Sequence, residues 1–221
     1  MLPGMQDLDG VKAYLRLDEL KRYLDITEQY LQKAKEDFKA WADEEVKKLP
    51  LQQREEFYDF YSDDYWRHEE RFPRILRNSF LVSALSLLEY EIHVICTRLK
   101  KERPITISLS DLKGDTLEKT KLFFQNAGLN LKYDGQLWQE INKYYLVRNC
   151  IVHNGGLIKG FKDERKLRAY ITQKGIISQD TIEEEIALTG QFCEEVIDTM
   201  QGFMEELYKT LTEKKPSNKA V

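Results

Sequence analysis

Glycine and proline are scarce in this chain, 11 and 5 among 221 residues. An all-β fold needs a turn signal about every 8 to 12 residues, so the shortage excludes it, along with collagen-like and linker-rich chains. Cysteine is scarcer. Cys96, Cys150 and Cys193 are scattered and odd in number, which offers neither a disulfide framework nor paired zinc knuckles and points to a reduced setting. With only His68, His93 and His153, general acid–base chemistry has few candidates. The longest mainly apolar run, Phe80 to Leu88, carries serines and falls short of the ~20 residues of a membrane span. The opening MLPGMQDLDG has no basic region followed by an apolar one, so no secretory signal is expected. The expectation is a cytoplasmic protein with no membrane partner. No phosphate-cradling glycine loop is present either, which disfavours a nucleotide-binding regulator. Nor does one sign of charge dominate: 34 Lys+Arg stand against 38 Asp+Glu. That excludes a generally cationic coat for nucleic acid but not a local basic patch.

What is present is helical. A hydrophobic share of 42% with 33% charged residues suits a chain that folds around a core rather than a disordered one. From Val11 to Leu49 there is neither Gly nor Pro, and apolar residues recur in steps of three to five, tracing one helical face. Such a helix would be about 58 Å long against a radius of gyration of roughly 17 Å for a domain of this size. It must kink, protrude or pack on a partner subunit. Pro50 ends it and opens a second helix, rich in aromatic residues from Phe57 to Trp66, which runs to Pro73. The acidic residues among those rings favour helix–helix packing over base stacking. Arg74 to Arg103 reads as a third helix. The connector ITISLSDL has slight strand character, and Asp115 caps a helix from Thr116 to Ala127 that Gly128 stops. Asp134 or Gly135 starts the next, which ends at Asn154-Gly155-Gly156. The pattern then loosens through a basic stretch, a Gly175 turn and IEEEIALT, before a final amphipathic helix from about Leu188 to Thr212. The expected fold is an all-α helical bundle with an extended N-terminal helical pair and at most one short β element. Its expected parts are an N-terminal extension over 1–73, a bundle over 74–213 and a disordered tail over 214–221.

Chemistry concentrates at the end of the fifth helix, in YYLVRNCIVHNGG. Asn149 and His153 are four apart and share a face. Arg148 takes a place on the stripe of Leu137, Ile141 and Tyr144, where a cation must pair, reach into a cleft or face another subunit. Glu89, inside the apolar third helix, is a candidate cleft carboxylate and a candidate partner for Arg148. His93 and Cys96 lie three apart, but no second pair at ligand spacing exists to complete a metal site. No metal or other cofactor is expected.

Arg148, Asn149 and His153 resemble the signature of the HEPN superfamily (higher eukaryotes and prokaryotes nucleotide-binding), an Arg, four to six residues and a His, often with Asn after the Arg. The resemblance covers roughly Arg74 to Thr212. It implies an α-helical bundle that forms a homodimer, two motifs facing one cleft, and metal-independent cleavage of RNA by its own 2′-OH. His153 would then serve as acid or base, Arg148 would neutralise the phosphorane and Asn149 would orient its neighbours. A toxin or phage-defence effector of this kind would answer to an antitoxin or another regulatory protein. Gly155 stands where some family toxins carry the tyrosine that an antitoxin modifies. Lys159, Lys162, Arg165, Lys166 and Arg168 follow the motif as candidate grips on the RNA backbone. The alternative is a non-catalytic scaffold of the same fold. Residues five apart on a helix diverge by ~140°, so Arg148 and His153 would converge only through two-fold pairing or a loosened helix end.

Overall fold

The helix expected from the breaker-free stretch is present and unbroken. The computed structural model describes residues 8–129, 131–178 and 183–213, and its first element, α1, runs Leu8–Lys48. Its 41 residues span about 60 Å, and its two halves serve different clusters. Ala13, Leu17 and Leu24 belong to the main core, whereas Ala42 and Val46 are buried beyond it, toward the far end.

Beyond Pro50, a 3-10 turn at Leu51–Gln53 leads to α2 (Arg54–Phe60) and α3 (Ser62–Trp66). A π-helical turn, Arg67–Arg71, joins these to α4 (Phe72–Glu102). The rings in this region pack on each other and on the distal half of α1. Phe38 stacks on His68 with centroids 4.9 Å apart, and Trp41 meets Tyr61 edge-on at 5.1 Å. Lys35 and Lys39 both clamp the Glu69 carboxylate beside them.

Pro73 does not break the helix, contrary to the sequence reading. Ser62–Glu102 is one continuous helical run. A proline inside a helix lacks a donor and crowds the carbonyl four residues back, here that of Glu69. The wider π turn lies immediately before Pro73 and relieves that crowding. By length and composition this run could cross a membrane, but 50% of its apolar window is buried inside the fold.

α1 lies antiparallel to both α4 and the last helix, α8 (Gly190–Glu213). Arg16 pairs with Glu91 at 2.6 Å and Glu28 with Arg77 at 2.7 Å, so rising numbers on α1 meet falling numbers on α4. Lys21 pairs with Asp198 at 2.7 Å, and Gly10 sits so close to Tyr208 that a Cβ would lie 3.1 Å from its ring. Side chains of α1, α4 and α8 fill the core together with those of α6 (Gln136–Asn154).

Capping follows the sequence expectation. Asp115 accepts the Glu118 amide at 2.8 Å to open α5 (Thr116–Asn126), and Gly128 closes it at φ 72°. The connector with slight strand character instead holds a 3-10 turn, Leu109–Asp111, closed by a Ser108/Asp111 capping box. The basic stretch is a helix, α7 (Glu164–Lys174), which the loose pattern concealed. Residues 183–188 pair with two neighbours: Ile158 donates to the Glu184 carbonyl at 3.0 Å and Ser178 to that of Glu185 at 2.9 Å. These remain isolated bridges, so among the described residues the protein is all-α, as its composition indicates. The expected disordered tail, 214–221, lies outside the described residues.

Candidate functional site

α6 is regular to Asn154. Gly155, at φ 64°, and Gly156, at φ 86°, end it with both amides directed at the Cys150 carbonyl. The left-handed conformation that stops the helix is one only glycine adopts freely. Asn154 then ties the following turn by donating to the Lys159 carbonyl at 3.2 Å. The helix end is therefore firm, and no loosening carries His153 toward Arg148.

The buried stripe of α6 is Trp138, Ile141, Tyr144, Val147 and Cys150. Arg148 lies beside this stripe rather than on it, half-buried, which corrects the expectation of a core position. Its Nη1 donates to Asn149 Oδ1 at 3.1 Å, while its Nε is buried without a partner. Asn142, Leu146, Asn149 and His153 recur at helical spacing along the outer side, and His153 is exposed on the last turn. Asn149 thus touches Arg148 and stands one turn from His153.

Arg148 and Asn149 line a cleft of about 350 Å³ with Tyr145, Asn142 and Leu146 of α6, Glu89 of α4, and Asp115, Thr116 and Lys119 at the start of α5. His153 is not among the residues that line it. Glu89 is one of the acidic residues along this cleft. It accepts the Thr116 hydroxyl at 3.3 Å and, among the described residues, makes no ion pair with Arg148. Burial, then the nearby Glu89 charge, pushes the Tyr145 phenol above its usual range, with Arg148 opposing. The Tyr145 hydroxyl is itself buried, beside the Glu89 carboxylate. Asp163 also lines the cleft, so three carboxylates face two cations there. Each acid is engaged: Asp115 caps α5, Glu89 holds Thr116, and Asp163 pairs with Lys166 at 3.5 Å.

The cleft continues in two directions. A hollow of about 520 Å³ between α6 and α7 shares Asn142, Leu146 and Asp163 with it and adds Lys143, Lys166 and Tyr170. A smaller one of about 260 Å³ shares Glu89, Thr116 and Lys119 and leads to His93. Of the five candidate grips, only Lys166 lines any of these spaces. Lys159, Lys162 and Arg165 are exposed on the approach to α7 and its first turn. Arg168 is held between Glu164 at 3.2 Å and Glu184 at 2.5 Å, so it is committed to internal pairs. Lys119, Thr116 and Tyr145 were missed by sequence reasoning. The Asp115 cap was visible, but nothing local indicates that this helix start abuts α6.

No group of three or more His, Cys, Asp or Glu side chains converges among the described residues in a way that could hold a metal ion. His93 is exposed and Cys96 buried; both border one hollow of about 500 Å³, but no third ligand joins them among the described residues. In comparison with known proteins, no family model matches the chain, and neither a curated protein nor a solved structure is significantly similar to it.

Proposed function

We propose that the protein is a metal-independent endoribonuclease of HEPN type, acting as a cytoplasmic homodimer in which two copies of the motif serve one composite site. The supporting observation is the Arg148–Asn149 contact at 3.1 Å on the wall of a cleft, with an exposed His153 one turn further along the ridge that Asn149 occupies. In the proposed reaction the 2′-oxygen of a ribose bonds to the adjacent phosphorus and the bond to the 5′-oxygen breaks. One His153 takes the 2′-hydroxyl proton, and a second protonates the departing 5′-oxygen. The Arg148 guanidinium neutralises charge on the phosphorane oxygens. The products are a 2′,3′-cyclic phosphate and a 5′-hydroxyl. Such an enzyme would serve as a toxin or phage-defence effector, held in check by an antitoxin or another regulatory protein.

The test is cleavage of end-labelled single-stranded RNA in EDTA. His153→Ala should lose at least about 100-fold in rate, and Arg148→Ala a comparable factor. Equal cleavage by wild type and His153→Ala, or none by either, overturns the reading. One observation favours the second reading, a non-catalytic interaction scaffold. Glu89, Asp115 and Asp163 outnumber Arg148 and Lys119 in the cleft, a balance that repels phosphate unless RNA displaces those internal partners.

A further inference from the structure

The hollow that His93 and Cys96 border lies between the last turns of α4, the 3-10 turn Leu109–Asp111 and α5. At about 500 Å³ it falls within the range of small-molecule sites, roughly 300 to 1,000 Å³. Phe123 and Cys96 reach it from the core, and Leu109 adds an apolar wall. Its charge differs from that of the spaces around Arg148. The cleft and its two extensions each carry a carboxylate, Asp163 or Glu89. This hollow has none, and Lys100 and Lys101 line it. The acids that flank it in sequence are engaged elsewhere. Glu102 pairs with Arg98 at 3.5 Å, and Asp111 accepts the Ser108 amide at 2.7 Å.

Basic residues in a last helical turn ordinarily complement the helix dipole, but the four that end α4 divide. Arg98 also pairs with Asp9 at 3.4 Å, and Arg103 donates to the Ala127 carbonyl at 2.5 Å. Both arginines are thus committed within the fold. Lys100 donates to the Ser108 hydroxyl, and among the described residues neither it nor Lys101 has a carboxylate partner. Two ammonium groups without counter-ions therefore stand over an apolar floor.

We infer that this hollow binds a small amphipathic carboxylate, an apolar chain or ring that ends in one anionic head. The apolar body rests on Phe123, Leu109 and Cys96, and the head lies between Lys100 and Lys101. Lys100 gives one of its three hydrogens to Ser108 and keeps two for the head, where charge-assisted hydrogen bonds are the strong ones. Apolar walls alone would accept a neutral or a cationic ligand equally, so the unpaired ammoniums decide the sign. A carboxylate suits the site better than a phosphate. The features that favour phosphate, a helix N-terminus and an arginine fork, are absent from the lining. The inference stands apart from the ribonuclease reading, because the hollow shares no lining residue with the cleft of Arg148.

The experiment is titration calorimetry of the full chain with octanoate, decanoate, octanol, octyltrimethylammonium and octyl phosphate. Octanoate should bind, and decanoate about tenfold tighter, the effect of two further buried methylenes. Octanol and octyltrimethylammonium should bind at least tenfold more weakly than octanoate. Joint substitution of Lys100→Gln and Lys101→Gln should weaken decanoate binding at least tenfold. Thr97→Trp, which fills the hollow from its rim, should do the same, whereas Lys113→Gln, outside the lining, should change nothing. All four positions are exposed, so the fold should survive each change. Four results overturn the inference: no binding of decanoate by wild type, octanol as tight as octanoate, a lysine double variant equal to wild type, or octyl phosphate preferred over octanoate. Decanoate no tighter than octanoate would also overturn it, since the apolar floor would then be idle.

Discussion

Arg16 and Glu91 share one ion pair at 2.6 Å, yet the side chain of Arg16 is 40% exposed and that of Glu91 only 2%. Removing either partner is therefore not equivalent. Without Arg16 a buried carboxylate is left unpaired, whereas without the Glu91 charge the arginine can still hydrate. Arg16→Ala also loses the stacking of its guanidinium on Tyr90, 5.2 Å from the ring centroid. The expectation is that Arg16→Ala costs about 2 kcal/mol and Glu91→Gln roughly half of that, measured by urea unfolding. Equal costs would show that the burial difference is immaterial. At the same scale, the proposed ribonuclease reading requires His153→Ala and Arg148→Ala to act on RNA cleavage, while stability to urea should change little because one is exposed and the other lies beside the core stripe rather than within it.

At the scale of the element, the π turn before Pro73 carries a titratable anchor. Hydrogen bonds from Lys35 and then Lys39 hold the Glu69 carboxyl below the ordinary carboxylate range. The ionised form is thus the stabilising one. Its contribution is complete above the unfolded value of about 4.3 and is lost as pH falls through the depressed folded value. Glu69→Gln should flatten the acid side of a melting-temperature profile below about pH 5, and an unaltered acid limb would remove the anchor from the account. Helices legible in the sequence were those with caps and unbroken periodicity: α1 from its missing breakers, α5 from Asp115 and Gly128, α6 from its glycine stop. α7 was hidden although Leu167, Tyr170 and Ile171 stand at helical spacing, because cations crowd its other positions and mask the stripe. Pro73 misled for a physical reason, since a π turn lets a helix pass a proline that local rules treat as a stop. At the site, the motif residues and Glu89 were legible as candidates. The wall built by Thr116 and Lys119 was not, because only tertiary packing brings α5 to α6.

Across the whole molecule, the three cysteines sit one each on α4, α6 and α8, all buried. Burial pushes the Cys96 and Cys193 thiols up to about 12 and that of Cys150 up to about 11. A thiol reagent that attacks the thiolate should find none of them in the native protein at pH 8. All three should react together once urea unfolds the core, because α4, α6 and α8 pack into one cluster. Early labelling of Cys150 alone would show that the α6 end opens independently, with consequences for His153.

The close seating of α1 against α8 also bears on how the chain is made. Lys21 and its partner Asp198 are 177 residues apart. At ribosomal rates of about 5 to 20 residues per second, Leu17 and Leu24 therefore wait roughly 10 to 35 s for the helix that covers them. During that interval the nascent α1 can rest on α4, which packs against it at Arg16–Glu91 and Glu28–Arg77, while the side that α8 will cover stays open. Closure of the bundle becomes a late event in synthesis rather than an early one.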